Sequence, residues 1–168
     1  MGFLTGKTAI ITGGGRAVLS NGECGSIGYG IATAYAKEGA NLVLTGRNVQ
    51  KLTDAKEELE KKYGIKVLPV QADVSAGSDN EAIVQNVVKQ AIDTFGRIDV
   101  LINNAQASAS GVTIADHTTE QFDLAVYSGL YAAFYYMKAC YPYLKETKGS
   151  VINLASGAGL FGNFGQCA

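Results

Sequence analysis

The sequence is poor in metal ligands and in chain-breaking residues. It has one histidine, His117, and three cysteines, Cys24, Cys140 and Cys167, with no C-x-x-C. That set has no metal-ligand spacing, which argues against a zinc site. The odd, unpatterned cysteines read as free thiols of a reducing cytoplasm rather than a disulfide framework. Proline is scarce at 2 residues, whereas glycine reaches 21, a balance that suits the tight strand–helix turns of an α/β fold. The formal net charge is only -1. No basic face is implied, which argues against nucleic acid or an anionic membrane surface as partner. No apolar run reaches the roughly 18 residues of a membrane span, and the start lacks a signal-peptide pattern, so a cytoplasmic location is expected. What remains is ordinary: 168 residues, 47% apolar and 17% charged, enough for about one domain with a proper core.

Along the chain, short apolar runs alternate with helix-period segments. Thr8–Thr12, Asn41–Thr45, Lys66–Val70, Asp99–Asn103 and Ser150–Leu154 read as strands. Pro69 places the third at a sheet edge, where a missing N–H is tolerated. Between them lie helices over Ser26–Glu38, from Asn48 to about Tyr63, and over Glu81–Phe95, closed by Gly39, Gly64 and Gly96. Thr118 with Gln121 is a capping-box signature opening a long aromatic helix to about Glu146, with a kink expected near Pro142. The strand runs are continuously apolar rather than alternating. That predicts a doubly wound parallel α/β sheet of the Rossmann type, incomplete but covered on both faces, with five strands present in a single domain over residues 1–168.

The stretch from Thr8 to Ala32 carries the first functional signal. A β-branched strand feeds Gly13-Gly14-Gly15, and a helix opens at Ser26-Ile27-Gly28. Glycines let a backbone approach a pyrophosphate, and the free N–H groups of a helix start favour its charge. Gly13 and Gly28 stand too far apart for the tight G-x-G-x-x-G, so the glycines alone are a weak motif, compatible with a loop that holds no ligand. The second strand ends Thr45-Gly46-Arg47-Asn48. Gly46 stands where an acid would bind ribose hydroxyls, and Arg47 is a planar cation suited to a 2′-phosphate, with Arg16 a second candidate. This favours NADP(H) over NAD(H), against the alternative that each arginine is a solvated surface charge. Ala72-Asp73-Val74, Asn103-Asn104-Ala105 and Ile152-Asn153-Leu154-Ala155-Ser156-Gly157 each place polar groups at the carboxyl end of a strand, where open α/β sheets bind ligands.

In this order, T-G-G-G-R, T-G-R-N, A-D-V, N-N-A and I-N-L-A-S-G resemble the short-chain dehydrogenase/reductase family over all 168 residues. The resemblance implies that Thr12, Gly13, Ser26, Ile27 and Gly28 frame the pyrophosphate loop. It implies that Asp73, with Val74, reads the adenine, and that Asn103, Asn104 and Ala105 brace the nicotinamide side. Ser156 would be the catalytic serine, hydrogen-bonded to the substrate oxygen. Three departures stand out. The glycine loop is long, and its Ser26-Ile27 resembles the enoyl reductases of the same superfamily, whereas Asn103-Asn104-Ala105 does not. Gly129 falls where the family's central helix carries an asparagine. The family's tyrosine, followed four residues later by lysine, would fall just beyond Ala168, which implies a chain truncated before that pair and of little activity by itself.

Within the family, the segments at Ser26–Ala32, Asn103–Gly111, Tyr127–Tyr131 and Gly157–Gln166 resemble bacterial bile-acid 12α-hydroxysteroid dehydrogenases. That implies hydride exchange at a secondary alcohol or ketone of a small molecule, a steroid, by a homo-oligomer. Leu160, Phe161 and Phe164 would then form an apolar wall for the steroid, or else pack in the core. The aromatic stretch Tyr127, Tyr131, Phe134, Tyr135, Tyr136, Tyr141 and Tyr143 reads as a buried helix, a subunit interface, or both. A reductase of acyl thioesters or other small carbonyls, and a non-catalytic dinucleotide-binding module, are the competing functions.

Overall fold

The computed structural model describes residues 2–163; Phe164 and Cys167 lie outside the described residues. Five strands, β1 (Thr8–Thr12), β2 (Asn41–Gly46), β3 (Val67–Gln71), β4 (Val100–Asn103) and β5 (Ser150–Asn153), form one parallel sheet in the order β3-β2-β1-β4-β5. The chain winds outward from β1 to β3, then returns to place β4 on the other side of β1. The carboxyl ends of β1 and β4 therefore flank a topological switch point, the crevice where such sheets hold ligands. β3 is an edge strand, and Pro69 stands in it opposite Leu44 of β2.

Helices α1 (Ile27–Lys37) and α2 (Val49–Tyr63) cover one face of the sheet. Helices α3 (Asn80–Phe95) and α5 (Ala132–Thr147) cover the other. Alternation along the strands divides the core accordingly. Ile11, Leu42, Leu44 and Ile102 pack on Tyr29, Ala32, Leu52 and Leu59. Ile10, Val43 and Leu101 pack on Val84, Val87 and Ala91 of α3 and on Tyr136, Cys140 and Leu144 of α5. Burial on both faces explains why β1 and β2 read as unbroken apolar runs, whereas β5 is exposed along its length, so the cover expected from its apolar run is not found there. The caps follow the sequence. Ser26, Asn48 and Thr118 accept the N–H groups of Tyr29, Lys51 and Gln121, and Gly64 and Gly96 close their helices with φ 68° and 69°.

The long aromatic helix departs from expectation. It runs as α4 (Thr119–Ala125), one wide π turn over Val126–Tyr131, and then α5, which continues through Pro142 to Thr147. The irregularity thus lies at the π turn, well before the proline. Ser128, buried inside it, has its hydroxyl 2.7 Å from the Leu124 carbonyl, in competition with the backbone ladder. A final short helix, α6 (Ala158–Phe161), was not expected from the sequence.

The amino ends of the strands are tied by Asp99, a buried carboxylate. It accepts the Thr8 N–H at 2.9 Å and two N–H groups of Arg97 at 2.8 and 2.6 Å, and Lys7 lies 3.3 Å away. Burial alone would raise its pKa, but these donors outweigh it and hold the carboxyl below its ordinary value. Its stabilising contribution is therefore complete above the unfolded value of about 4. It is lost as pH falls through the lower folded value. We expect Asp99→Ala to lower the free energy of urea unfolding by about 3 kcal/mol at neutral pH. The variant should also lose part of the acid sensitivity that the unmodified protein shows below pH 4. Equal unfolding midpoints would refute the hub.

Candidate functional site

At the carboxyl end of the sheet, the central contact is between Thr12 and the end of β4. Thr12 Oγ1 accepts the backbone N–H groups of Asn104 and Ala105, both at 2.9 Å, and Asn104 Nδ2 returns to the Thr12 carbonyl at 2.8 Å. One buried hydroxyl thus satisfies two amides that have just left the sheet ladder. Asn104 therefore holds the crevice open from below, with its side-chain amide spent on the chain itself.

Gly13 follows with φ 72°, its N–H donating to the Thr45 carbonyl at 2.8 Å. α1 approaches so closely that a Cβ on Gly28 would run into the Gly13 carbonyl. The backbones of loop and helix start are in contact, as the absence of a side chain on both glycines allows. The long glycine loop resolves into a local excursion. Val18 and Cys24 form an antiparallel bridge, and the Gly25 N–H donates to the Ala17 carbonyl at 2.7 Å. Residues 18–24 thus leave and rejoin at one point, and Gly13 and Gly28 meet as they would in a short loop. Ser26 caps α1, and Ile27 is 68% exposed.

Two cavities of about 260 Å³ each flank Gly13 and Arg47. Gly46, Arg47, Asp73, Val74 and Ala105 line the first, among others. Asp73 accepts the Ser75 hydroxyl and N–H at 2.6 and 2.9 Å. Burial would raise its pKa, but these donors and the nearby Arg47 charge keep it low, so it faces the cavity as a carboxylate. The second cavity lies over the start of α2 and is bounded by Gly15, Ser26, Arg47, Asn48 and Lys51. Neither Arg47 nor Lys51 joins an ion pair among the described residues. Arg16 differs. Its Nε donates to Glu58 at 2.5 Å, and its side chain lines neither cavity. That bond to Arg16 is the main reason the Glu58 carboxyl sits below its ordinary pKa. Of the two arginines singled out from the sequence, the fold brings Arg47 to the cavity and turns Arg16 onto α2. Lys51, missed in the sequence, takes a place beside Arg47. Its signal was there, in the first turn of the helix that follows β2.

A third cavity, of about 90 Å³, lies between the ends of β4 and β5 and the π turn, lined by Asn103, Asn104, Ser128, Gly129, Tyr136 and Asn153 among others. Asn103 Nδ2 donates to Asn153 Oδ1 at 2.8 Å, while Asn103 Oδ1 is buried without a partner. Tyr136 is pushed up to about 12 by burial, its hydroxyl beside Thr45 but outside hydrogen-bond geometry. Beyond β5, Ser156 is exposed, and its Oγ accepts the Ala158 N–H at 3.2 Å, which leaves the hydroxyl proton free to donate. Leu160 and Phe161 are 81% and 89% exposed, so neither packs in the core formed by the described residues. Phe164 lies outside those residues. No group of metal ligands exists among the described residues, and no described helix is long and apolar enough to cross a membrane.

Thr12→Val keeps the shape of this junction but orphans the N–H groups of Asn104 and Ala105. A loss of about 2–4 kcal/mol in unfolding free energy is expected, against less than about 1 kcal/mol for Thr12→Ser, which keeps the acceptor. Equal denaturation midpoints for the two variants would show the hydroxyl to be dispensable.

Comparison with known proteins agrees with this geometry. A profile of short chain dehydrogenases matches residues 7–168. The chain is 67% identical over 168 residues to a 12alpha-hydroxysteroid dehydrogenase of Clostridium sp., covering all of this chain and 62% of that protein. It is 35% identical over 160 residues to an uncharacterized oxidoreductase, YhxC, of Bacillus subtilis, covering 51% of it. The chain thus spans about half to three-fifths of the length of these relatives. Among solved structures, L-sorbose reductase from Gluconobacter frateurii, complexed with NADPH and L-sorbose, superposes with a TM-score of 0.85 at 30% identity, over 99% of this chain and 58% of that one. NAD+-bound xylitol dehydrogenase gives 0.83 at 26% identity, over 97% and 58%. With its five motifs gathered around one crevice and a family match over nearly its whole length, the chain belongs to the short-chain dehydrogenase family.

Proposed function

We propose that this chain forms the dinucleotide-binding part of an NADP-dependent oxidoreductase that exchanges hydride with a secondary alcohol or ketone, the substrate being a hydroxysteroid with a bile-acid 12α-hydroxyl. The observation that carries the steroid reading is the 67% identity across the whole chain to a 12alpha-hydroxysteroid dehydrogenase.

The residues present fit the cofactor. The contact of Gly28 on Gly13 leaves no room for a Cβ, the close packing of helix on strand that a dinucleotide-binding glycine turn uses. Thr12 and Gly13 would hold that end, with the Ser26–Gly28 helix start opposite. Asp73 would accept from the adenine amino group, and Val74 would flank the ring. Arg47 and Lys51, two unpaired cations over one cavity, would hold the 2′-phosphate. Asn103 and Ala105 would border the nicotinamide side. When bound, the cofactor supplies or accepts the hydride. Ser156, with its proton free, would donate to the substrate oxygen as negative charge develops there. Leu160 and Phe161, exposed beside it, would meet an apolar steroid face. Tyr131 at the end of the π turn and Phe134 and Tyr141 on α5 are exposed as well, which supports a homo-oligomer.

In the full-length protein, NADPH should bind more tightly than NADH. Arg47→Asp should flatten or reverse that preference, through a charge-assisted contact worth about 1.5–3 kcal/mol. Lys51→Ala should weaken NADPH alone. Equal affinities for the two cofactors in the unmodified protein would refute the NADP reading.

Ser156→Ala should lower kcat for a 12α-hydroxylated bile acid by about 10²–10³ with NADPH affinity kept. A near-normal rate would show that another group donates to the substrate oxygen.

A further inference from the structure

Asn80 is out of place by the logic of the core. It stands at the start of α3, fully buried at 0% exposure, on the face whose next turns present Val84, Val87 and Val88 to the sheet. Its side-chain amide is oriented by two carbonyls. Nδ2 donates to the Val74 carbonyl at 2.6 Å and lies 3.3 Å from the Tyr127 carbonyl, across 47 residues of chain. Oδ1 is left buried with no partner. An unsatisfied buried oxygen opposes folding, and an apolar side chain in its place would remove that cost. The residue is therefore a poor choice for stability alone.

What Asn80 joins gives the reason. Val74 lines both the cavity that holds Asp73 and the smaller cavity under the π turn. Tyr127 belongs to that π turn, and its neighbour Ser128 accepts the Ala107 N–H at 2.9 Å. Ala105 and Gln106 line both cavities too, and Ala107 lines the first. The partition between the two cavities is thus made of two strips of chain, at Val74 and at residues 105–107. Each is fastened to the π turn by one buried polar side chain, Asn80 for the first and Ser128 for the second.

We propose that Asn80 is a positioning residue for the cofactor cleft: by clamping the Val74 carbonyl to the π turn, it fixes the wall between the adenine side and the nicotinamide side. This rests on the dinucleotide reading of the cleft. Asn80 touches no cofactor and acts through Val74. Side-chain donors that hold a wall in register are required by a ligand spanning both cavities, and not by the hydrophobic core behind them.

The test uses the full-length protein with Asn80→Val and, as a smaller substitution, Asn80→Ala. Dissociation constants for NADPH and NADH are measured by fluorescence titration, and melting temperature is read beside them. Asn80→Val removes the orphaned oxygen and the donor to the Val74 carbonyl together, so it is expected to melt close to the temperature of the unmodified protein. It should bind NADPH about tenfold more weakly. Asn80→Ala should show the same loss of affinity. Unchanged affinity in both variants overturns the role. So does a parallel fall of affinity and melting temperature in both, or failure of both to fold, since either marks a purely structural residue. Absence of any dinucleotide binding by the unmodified protein overturns the cofactor reading and this role with it. Binding by the unmodified protein and the variants alike overturns only the role of Asn80.

Discussion

The cleft depends on one hydroxyl. A parallel sheet must stop pairing somewhere, and at the switch point two neighbouring strands stop together and leave amides facing a crevice. Thr12 Oγ1 takes two of those amides, from Asn104 and Ala105, and Asn104 returns to the Thr12 carbonyl. β1 and β4 are thereby fixed to each other at the point where their chains diverge. Gly13 can then leave β1 with positive φ, α1 can settle on it through Gly28, and Asn104 and Ala105 can form a border shared by the cavity at Asp73 and the cavity under the π turn. A threonine suits this position because its hydroxyl is held by a β-branched side chain with few rotamers, inside a strand that already favours such residues.

Much of this was legible because it is written in local chemistry. The five strands, the continuous burial of β1 and β2, the helix caps at Ser26, Asn48 and Thr118, and the edge position of Pro69 each follow from residues close in sequence. The less legible parts depend on partners far along the chain. Arg16 reads as a free cation until Glu58 is brought to it across the α1–α2 layer. Lys51 reads as one solvated lysine among many on α2 until the glycine loop closes over it, with the Arg16 N–H donating to the Lys51 carbonyl at 2.7 Å. Asn80 and Ser128 carry no motif at all, since their partners are main-chain carbonyls and amides that any residue offers. The π turn is of the same kind. Pro142 was the visible irregularity, yet the helix passes through it, whereas a serine hydroxyl bonded across to Ala107 accompanies the widened turn.

Charge is arranged with the same economy. The amino end of the sheet gathers Lys7, Arg97 and Asp99 into a closed set that satisfies itself. The carboxyl end leaves Arg47 and Lys51 open and Asp73 ionised within reach of Arg47. Cations that are paired stiffen the fold, and cations left unpaired over a cavity remain available to an anion. Both ends use the same residue types, so the difference between scaffold and site lies in who faces whom.

The excursion between Ala17 and Gly25 has a consequence for how such a loop can vary. Because residues 18–24 depart and return at a single hydrogen-bonded gate, their number is uncoupled from the spacing of the glycines that matter. Residues can be added, removed or exchanged there without altering how Gly13 meets Gly28. The glycine motif is therefore defined in space and not by its spacing in sequence, and a ruler laid along the chain is the wrong instrument for recognising it.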